Sequence, residues 1–275
     1  MKHLHSGEFF GDTTRTMLLD GITLTDTVYT HEKVDWHYHE NAYFTFILQG
    51  FMTEGSKKGV LHCPAGTLLF HNWQESHYNI KPPVYTRGFH VEIKRSWFEK
   101  FSFSANAPEG SFNISDPYLK ILFHALYKEA GYPGGSYTLP VESMLLQVLD
   151  NIFNGQVPQR PGYPCWVNKG RELLHDTPHQ QLNLAYIAKE LGIHPVHLSR
   201  DFARYFNCSF GEYIRKIRIE KALTMINNKN INFSDIVFEC GFADQSHFIR
   251  SFKTITNTTP LQYRKQLSVL EKAVQ

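Results

Sequence analysis

The stretch that decides the fold is ECGFADQSHFIRSFKTITNTTPLQYR, residues 239–264. Its apolar residues recur three and four positions apart, which indicates amphipathic helices, and Gly241 interrupts them as a turn residue. The helix after the turn places Phe248 and Phe252 on one face and basic side chains on the other. Two short helices separated by a glycine turn are typical of a helix-turn-helix unit.

The same pattern occurs earlier in the chain. Residues 187–192 (IAKELG) match residues 236–241 (IVFECG) at an offset of 49, and residues 197–202 (HLSRDF) match residues 247–252 (HFIRSF) at an offset of 50. An ordinary helical bundle has similar apolar spacing, but it explains neither the repeat nor the basic outer faces. The repeat therefore predicts two helix-turn-helix units.

Charge divides the chain in the same way. Residues 166–275 hold 15 basic and 10 acidic residues, whereas residues 1–165 hold 13 basic and 16 acidic residues. A basic second half predicts a polyanionic partner, double-stranded DNA. The sequence has no apolar run near the about 20 residues of a membrane helix and no signal-peptide pattern, so we expect a cytoplasmic protein without a membrane partner.

Residues 239–264 resemble the signature of the AraC/XylS family of bacterial transcription regulators, G-F-x-x-x-S-x-F-x-R-x-F-K followed by P-x-x-Y-R. The matching residues are Gly241, Phe242, Ser246, Phe248, Arg250, Phe252, Lys253, Pro260, Tyr263 and Arg264. The family often has glycine in the turn before the proline, where this chain has residues 257–259 (NTT). The resemblance implies two helix-turn-helix units joined by a long helix, here residues 210–227.

We expect the two recognition helices at about residues 195–206 and 245–254, with one face of each against DNA. The predicted DNA-binding residues are Val196, His197, Ser199, Arg200 and Arg204 in the first helix and Gln245, Ser246, Ile249, Arg250 and Lys253 in the second. Among them, arginine pairs with guanine, glutamine pairs with adenine, and valine or isoleucine contacts a thymine methyl group. Lys253, Arg204 and His247 are predicted phosphate contacts.

The first half of the chain has a different pattern. Residues 20–103 contain short alternating or apolar runs between turn residues, which predicts a β-sandwich or barrel. Residues 116–130 and 141–153 then show helical spacing, and an Asp-Pro pair marks the start of the first helix. In the family such helices commonly form a dimer interface, and the alternative is that they cover the sheet.

Residues 36–50 (WHYHENAYFTFILQG) raise the question of a metal, because a His-x-His pair on a strand points to one face. The region resembles the cupin-type sensor domain found in many members of this family, whose first motif is H-x-H-x3,4-E-x6-G. His37, His39 and Gly50 fit that motif, but Tyr43 stands where the glutamate ligand belongs. His77 falls at the histidine position of the second motif.

Three readings of these side chains stay open. His37, His39 and His77 could hold a divalent metal such as zinc, nickel, manganese or iron. Alternatively, the same residues with Tyr43 contact an organic effector, a sugar or another metabolite, without any metal. In the third reading they are structural. His71 and His90 lie on nearby strand-like runs and are candidates to join the pocket.

The predicted fold is thus an N-terminal β domain (cupin-like barrel) followed by helices, and a C-terminal all-α double helix-turn-helix domain. We expect the barrel at 1–110, a helical and dimerising region at 111–154, a linker at 155–165 and the DNA-binding domain at 166–275. The predicted function is an effector-responsive transcription regulator, a homodimer that contacts its operator and RNA polymerase. The alternative is a cupin metalloenzyme, a dioxygenase or isomerase, fused to a DNA-binding domain; Tyr43 breaks the ligand set, so we expect no enzyme.

Overall fold

The computed structural model describes residues 1–103, 110–131, 138–153, 164–177, 182–226, 228 and 230–272. The chain divides into two compact units, residues 1–156 and residues 157–269. Most of the linker predicted at 155–165 and the predicted helix end at Asn227 lie outside the described residues. None of the helices in the described ranges has the length and apolar character needed to cross a bilayer.

The described part of the first unit contains eleven strands in two sheets. They are β1 (Lys2–Leu4), β2 (Asp12–Leu19), β3 (Ile22–Val28), β4 (Lys33–His39), β5 (Ala42–Gln49), β6 (Phe51–Ser56), β7 (Gly59–Pro64), β8 (Leu68–His71), β9 (His77–Ile80), β10 (Arg87–Ile93) and β11 (Phe112–Asn113). The first sheet has the order β1-β4-β9-β6-β7 and the second has the order β11-β8-β5-β10-β3-β2. The N-terminal half is therefore β-rich, as predicted, and its strands begin nearer the N-terminus than residue 20.

Strand register brings the histidine-rich positions together. In the first sheet, His37 of β4 lies opposite His77 of β9. In the second sheet, Tyr43 of β5 lies opposite His71 of β8 on one side and Glu92 of β10 on the other. These side chains come from separate strands, so pairing between distant segments places them.

Strand β5 is buried on both of its faces, and each face has its own role. Tyr43 and Thr45 point into the space between the sheets and line a pocket there. Phe44 and Phe46 point the other way, where both rings contact Phe123, at centroid distances of 5.0 and 5.9 Å. A strand buried on both sides reads as a continuous apolar run, and AYFTFIL has that pattern.

Three helices belong to the first unit: α1 (Arg95–Lys100), α2 (Pro117–Ala130) and α3 (Thr138–Phe153). The Asp116 carboxylate accepts hydrogen bonds from the first amides of α2, which confirms the predicted Asp-Pro start. The apolar stripe of α2 covers the outer face of the second sheet through Phe123, and Phe153 of α3 contacts Phe70 of β8. Packing within the unit thus accounts for the apolar stripes, and the predicted dimerisation through residues 111–154 stays a prediction.

The second unit is helical, as predicted. Its helices are α4 (Trp166–Asp176), α5 (Leu184–Leu191), α6 (Pro195–Phe206), α7 (Phe210–Ile226), α8 (Phe233–Glu239), α9 (Gln245–Thr256) and α10 (Pro260–Lys272). The pairs α5–α6 and α8–α9 are the two helix-turn-helix units, and α7 is the connector. Helix α6 has the predicted bounds, and α9 ends two residues later than predicted, at Thr256 instead of Thr254.

The backbone repeats along with the sequence. Gly192 and Gly241, the two turn glycines, have φ of +67° and +74°, a region that residues with a Cβ seldom occupy. The recognition helices α6 and α9 end on Asn207 and Asn257, which are also left-handed, with φ of 55° and 59°. Asparagine tolerates this conformation better than most residues do, so Asn257 can end the helix in a turn that would otherwise favour glycine.

Helix caps extend the repeat beyond the residues that the sequence comparison found. The side chains of Asn183 and Asn232 accept amide hydrogen bonds at the starts of α5 and α8. His194 and Asp244 do the same at the starts of α6 and α9. Each pair keeps the offset of 49 or 50, so polar caps define the four helix starts even where residue identity has changed.

Arg264, the last residue of the family signature, has a structural contact. Its guanidinium donates hydrogen bonds of 3.0 Å to the carbonyl oxygens of Ile226 and Ile231. It also lies 4.0 Å from the ring centroid of Phe233. Arg264 therefore ties α10 to the end of the connector and to the start of the second helix-turn-helix unit.

Candidate nucleic-acid interface and histidine pocket

Helix α6 buries one face and exposes the other. Leu198 and Phe202 are at most 1% exposed and pack in the core of the first helix-turn-helix unit. The outer face presents all five side chains predicted to contact DNA, each of them exposed: Val196, His197, Ser199, Arg200 and Arg204. The helix therefore offers a polar and basic surface held rigidly by an apolar face.

Helix α9 repeats this arrangement. Phe248 and Phe252 are completely buried, and Phe252 contacts Tyr263 of α10. The five predicted contacts are again exposed: Gln245, Ser246, Ile249, Arg250 and Lys253. His247, predicted as a phosphate contact, is half-buried with its ring against Phe242.

The two equivalent arginines differ in their surroundings. The Arg200 guanidinium donates to Asp201, with Nε and Oδ1 2.9 Å apart, and lies 3.3 Å from Nδ1 of His197. The Arg250 guanidinium has no hydrogen bond or ion pair to the other described residues. Arg250 is thus available for a new bidentate contact, whereas Arg200 must first exchange partners.

The pocket between the two sheets of the first unit contains the histidines that the sequence singled out. His37, His39, Tyr43 and His77 line it, and His90 joins them from β10. All five are at most 3% exposed. The structure thus brings the predicted effector or metal residues together around one cavity.

Backbone carbonyls orient two of these rings. Nδ1 of His37 lies 2.9 Å from the carbonyl oxygen of Asp35, and Nδ1 of His77 lies 3.2 Å from that of Glu75. A carbonyl only accepts, so each Nδ1 carries the proton and each Nε2 keeps a lone pair. Metal-binding histidines are usually held in this way.

The buried histidines in and beside the pocket, His37, His39, His71, His77 and His90, are neutral at pH 7 because burial lowers their pKa. Burial lowers the pKa of His77 and of His90 to about 3. Burial and the neighbouring His77 lower the pKa of His39 and of His71 well below the usual range. Neutral rings offer lone pairs, which suits either metal coordination or hydrogen bonds to a ligand.

Glu54 of β6 is a functional candidate that the sequence interpretation missed. It is 7% exposed and lines the pocket, with Oε2 3.5 Å from Nε2 of His71. Burial raises the Glu54 pKa to about 8 and lowers that of His71, so both groups are neutral near pH 7 and their contact is not a charged salt bridge. The sequence contained one signal for this site. In the alternating strand β6, the charged residue Glu54 stands at an inward position, two residues after buried Met52.

Three groups of side chains in the described residues meet the distance requirement for a metal ion, and one of them, His3 with His5 and Glu40, is fully exposed. The other two are buried. The first of these is His37, His39 and His77, as predicted from the sequence, and the second is Glu54, His71 and His77. In each buried group the ligand atoms lie within 4.8 Å of one another. Imidazole nitrogens and a carboxylate fit a first-row divalent ion. Nδ1 of His39 and both nitrogens of His71 have no hydrogen-bond partner within the part of the chain that the structure describes.

The cavity is small in this conformation, about 30 Å³. That volume holds a water molecule or a metal ion, and a sugar requires part of the wall to move. Phe9 closes the pocket by stacking on His90, at a centroid distance of 3.6 Å, and by contacting Tyr43. Phe10 contacts His37 edge to face, at a centroid distance of 5.0 Å.

Comparison with known proteins finds similarity to the second unit. A family model described as a helix-turn-helix domain matches residues 187–266. The probable transcription factor PqrA of Proteus vulgaris is 38% identical over 79 residues, which cover 29% of this chain and 65% of that protein. The Msm operon regulatory protein of Streptococcus mutans is 26% identical over 103 residues, 38% of this chain and 37% of that protein. The chain thus spans less than two thirds of the length of these curated relatives.

Solved structures give similar matches. The C-terminal domain of AraT, a response regulator from Geobacillus stearothermophilus, is 29% identical and covers 37% of this chain and 85% of that one, with a TM-score of 0.35. ToxT from Vibrio cholerae is 15% identical over 89% of this chain and 98% of that one, with a TM-score of 0.36. At these TM-scores neither superposition bears on what this chain binds.

Proposed function

Because residues 187–266 are a helix-turn-helix domain of the AraC type, we propose that this protein is a transcription regulator that binds a double-stranded DNA operator. One observation carries the proposal: the exposed faces of α6 and α9 present all ten side chains predicted to contact DNA. The net positive charge of residues 166–275 supports it, because phosphate contacts supply much of the affinity for DNA.

In the proposed complex, α6 and α9 enter successive major grooves, roughly 34 Å apart along one face of the duplex. Helix α7 connects the two helix-turn-helix units and buries residues along its length, among them Tyr213, Ile217 and Leu223. A rigid connector of this kind fixes the spacing of the two half-sites. Arg250 pairs with guanine and Gln245 with adenine, while Arg204 and Lys253 contact phosphates.

The N-terminal unit is proposed to sense a small effector in the histidine pocket and to control the DNA-binding unit. Burial of His37, His39, Tyr43 and His77 around one cavity supports a binding role there. A sugar-sized metabolite requires Phe9 and Phe10 to leave the cavity, whereas an ion fits without this movement. The proposal includes a homodimer, a contact with RNA polymerase and a location in the cytoplasm, where bacterial operators lie.

The test of the proposed function is selection of bound duplexes from a randomised DNA pool by the purified full-length protein, followed by sequencing. We expect an enriched motif with two half-sites about one helical turn apart. Arg250→Ala should select a motif in which one of the two half-sites is no longer enriched. The matched control is Arg95→Ala, which removes an exposed arginine from the N-terminal unit and should leave the selected motif unchanged. A pool without enrichment overturns the proposed function.

A further inference from the structure

Glu54, His71 and His77 come together from three strands of the two sheets. Glu54 lies on β6, His71 ends β8, and His77 begins β9. Their ligand atoms lie within 4.8 Å of one another, whereas tetrahedral coordination at usual zinc bond lengths needs about 3.4 Å. The Glu54 and His71 atoms, 3.5 Å apart, are already close to that spacing. This group differs from the three histidines of the sequence motif and shares one member with them.

His71 is the unexplained side chain in this part of the fold. It is 1% exposed, and neither ring nitrogen has a hydrogen-bond partner among the described residues. The 3.5 Å between its Nε2 and Oε2 of Glu54 is longer than a normal hydrogen bond. A buried imidazole whose lone pair has no partner is costly, and a cation between the two side chains would accept that lone pair and one from the Glu54 carboxylate.

The two buried candidate groups differ in the charge that their side chains can offer a metal ion. A divalent ion among His37, His39 and His77 keeps its whole charge in a buried site, because neutral imidazoles compensate none of it. Glu54 lies beside His71, with Oε2 3.5 Å from its Nε2, and the carboxyl group would give up its proton on binding a cation and so offset one of the ion's charges. Two imidazoles and a carboxylate are a common ligand set for iron and zinc, and they leave coordination positions open for water or for a small ligand.

We propose that Glu54, His71 and His77 bind a first-row divalent metal ion, with Glu54 as the carboxylate ligand that the sequence motif lacks. This inference rests on the proposed sensor function, since it names the ligand class that the pocket takes. His77 coordinates through Nε2, the nitrogen that now accepts a hydrogen bond from Tyr43. Metal binding therefore moves the Tyr43 hydroxyl away from His77.

The experiment is a zinc titration of full-length protein stripped of metal, in competition with a chromogenic chelator. Glu54→Gln and His71→Gln each remove one proposed ligand. His39→Gln removes a member of the other group only. Glu92→Gln is the matched control, because Glu92 is equally buried on β10 and bonds to Ser6 and Gly7 instead of to a histidine.

We expect the wild type to bind one equivalent of zinc. Glu54→Gln and His71→Gln should each weaken binding by at least tenfold, whereas Glu92→Gln and His39→Gln should stay within about threefold of the wild type. Circular dichroism of each metal-free variant shows whether it is folded. If Glu54→Gln does not fold, the visible absorption of the cobalt complex of the wild type and of His71→Gln decides, because loss of an imidazole ligand changes the spectrum.

Zinc binding that His39→Gln abolishes and Glu54→Gln leaves intact overturns the proposal in favour of the three-histidine group. A wild type that binds no zinc, cobalt, nickel, manganese or ferrous ion overturns it as well. DNA selection with the same preparation keeps the two proposals apart. If the protein selects an operator but binds no metal, the proposed function stands and the metal site is wrong. If it binds metal but selects no DNA, the metal site stands and the proposed function is wrong.

Discussion

The hydroxyl of Tyr43 donates a hydrogen bond of 3.0 Å to Nε2 of His77, across the gap between the two sheets. The direction follows from Nδ1 of His77, which donates to the carbonyl oxygen of Glu75 and so leaves Nε2 as the acceptor. Tyr43 stands at the position of a metal-binding glutamate in the cupin motif. In this chain the Tyr43 hydroxyl hydrogen-bonds to the lone pair of His77, the histidine that both buried candidate metal groups share.

Tyr43→Phe should have opposite effects with and without metal. Without metal, Nε2 of His77 loses its donor, so the free energy of unfolding should fall by about 1 kcal/mol. With metal, the competing hydrogen bond is gone, so zinc affinity should rise. Denaturant unfolding in chelator and a zinc titration measure the two effects.

Tyr29→Phe is the control for that variant, since Tyr29 makes a similar hydrogen bond of 2.7 Å to His90 in the same pocket. It should lower stability comparably without changing zinc affinity. A Tyr43→Phe protein with weaker zinc binding would mean that the phenol oxygen is itself a ligand.

Arg250→Ala should weaken operator binding by about 1–3 kcal/mol, as expected for loss of a bidentate arginine–guanine pair. Arg200→Ala should cost less, because Arg200 gives up its contact with Asp201 in order to bind DNA. Asp201→Asn should then strengthen binding by releasing Arg200. Fluorescence anisotropy with the selected operator at one fixed salt concentration measures all three variants, and equal losses for both arginines contradict the assignment.

Arg264→Ala should destabilise the helical unit by about 2 kcal/mol or more, because two charge-assisted hydrogen bonds to backbone carbonyls are lost. Lys265→Ala, at the exposed next residue, should change stability by less than about 0.5 kcal/mol. Urea unfolding followed by circular dichroism gives both values. If Arg264→Ala is as stable as Lys265→Ala but binds DNA weakly, the side chain contacts DNA instead.

The free energy of unfolding should decrease as the pH is lowered below about 6.5, and His124 contributes to this decrease. Burial lowers the His124 pKa to about 3, so between that value and the ordinary pKa the unfolded chain binds a proton that the folded chain does not. Unfolding free energy therefore rises with pH across this window, by about 1.4 kcal/mol per pH unit for one such histidine.

His124→Gln should reduce this slope by about that amount when denaturant unfolding is compared at several pH values between about 4 and 6. Above pH 7 His124 is neutral in both states, so the unfolding free energies of the variant and of the wild type should depend on pH in the same way there. An unchanged slope at acid pH would show that His124 is protonated in the folded protein.

The sequence predicted the helical half closely because its signals are local. Helix α6 has the predicted bounds, and the turn glycines Gly192 and Gly241 take the left-handed conformation that a tight turn needs. Apolar spacing fixed which side of each recognition helix is buried, with Leu198 and Phe248 inside. What the local pattern did not reveal was the ion pair between Arg200 and Asp201, which depends on side-chain rotamers.

The pocket was predicted only in part, because its members lie far apart in the chain. His37 and His39 share a motif, and the spacing to His77 was recognisable. Glu54 belongs to no motif, and its approach to His71 depends on how β6 and β8 face each other across the two sheets.

The sequence by itself determined the two helix-turn-helix units, since an α-helix forms its hydrogen bonds four residues apart and its caps and turn residues act within a few positions. Tertiary structure decided the chemistry of the pocket. Strands pair with distant segments, and a change of one residue in register turns every side chain to the other face. That is why Tyr43, beside a His-x-His motif in the sequence, is found bonded to His77 and stacked on His71 in the fold.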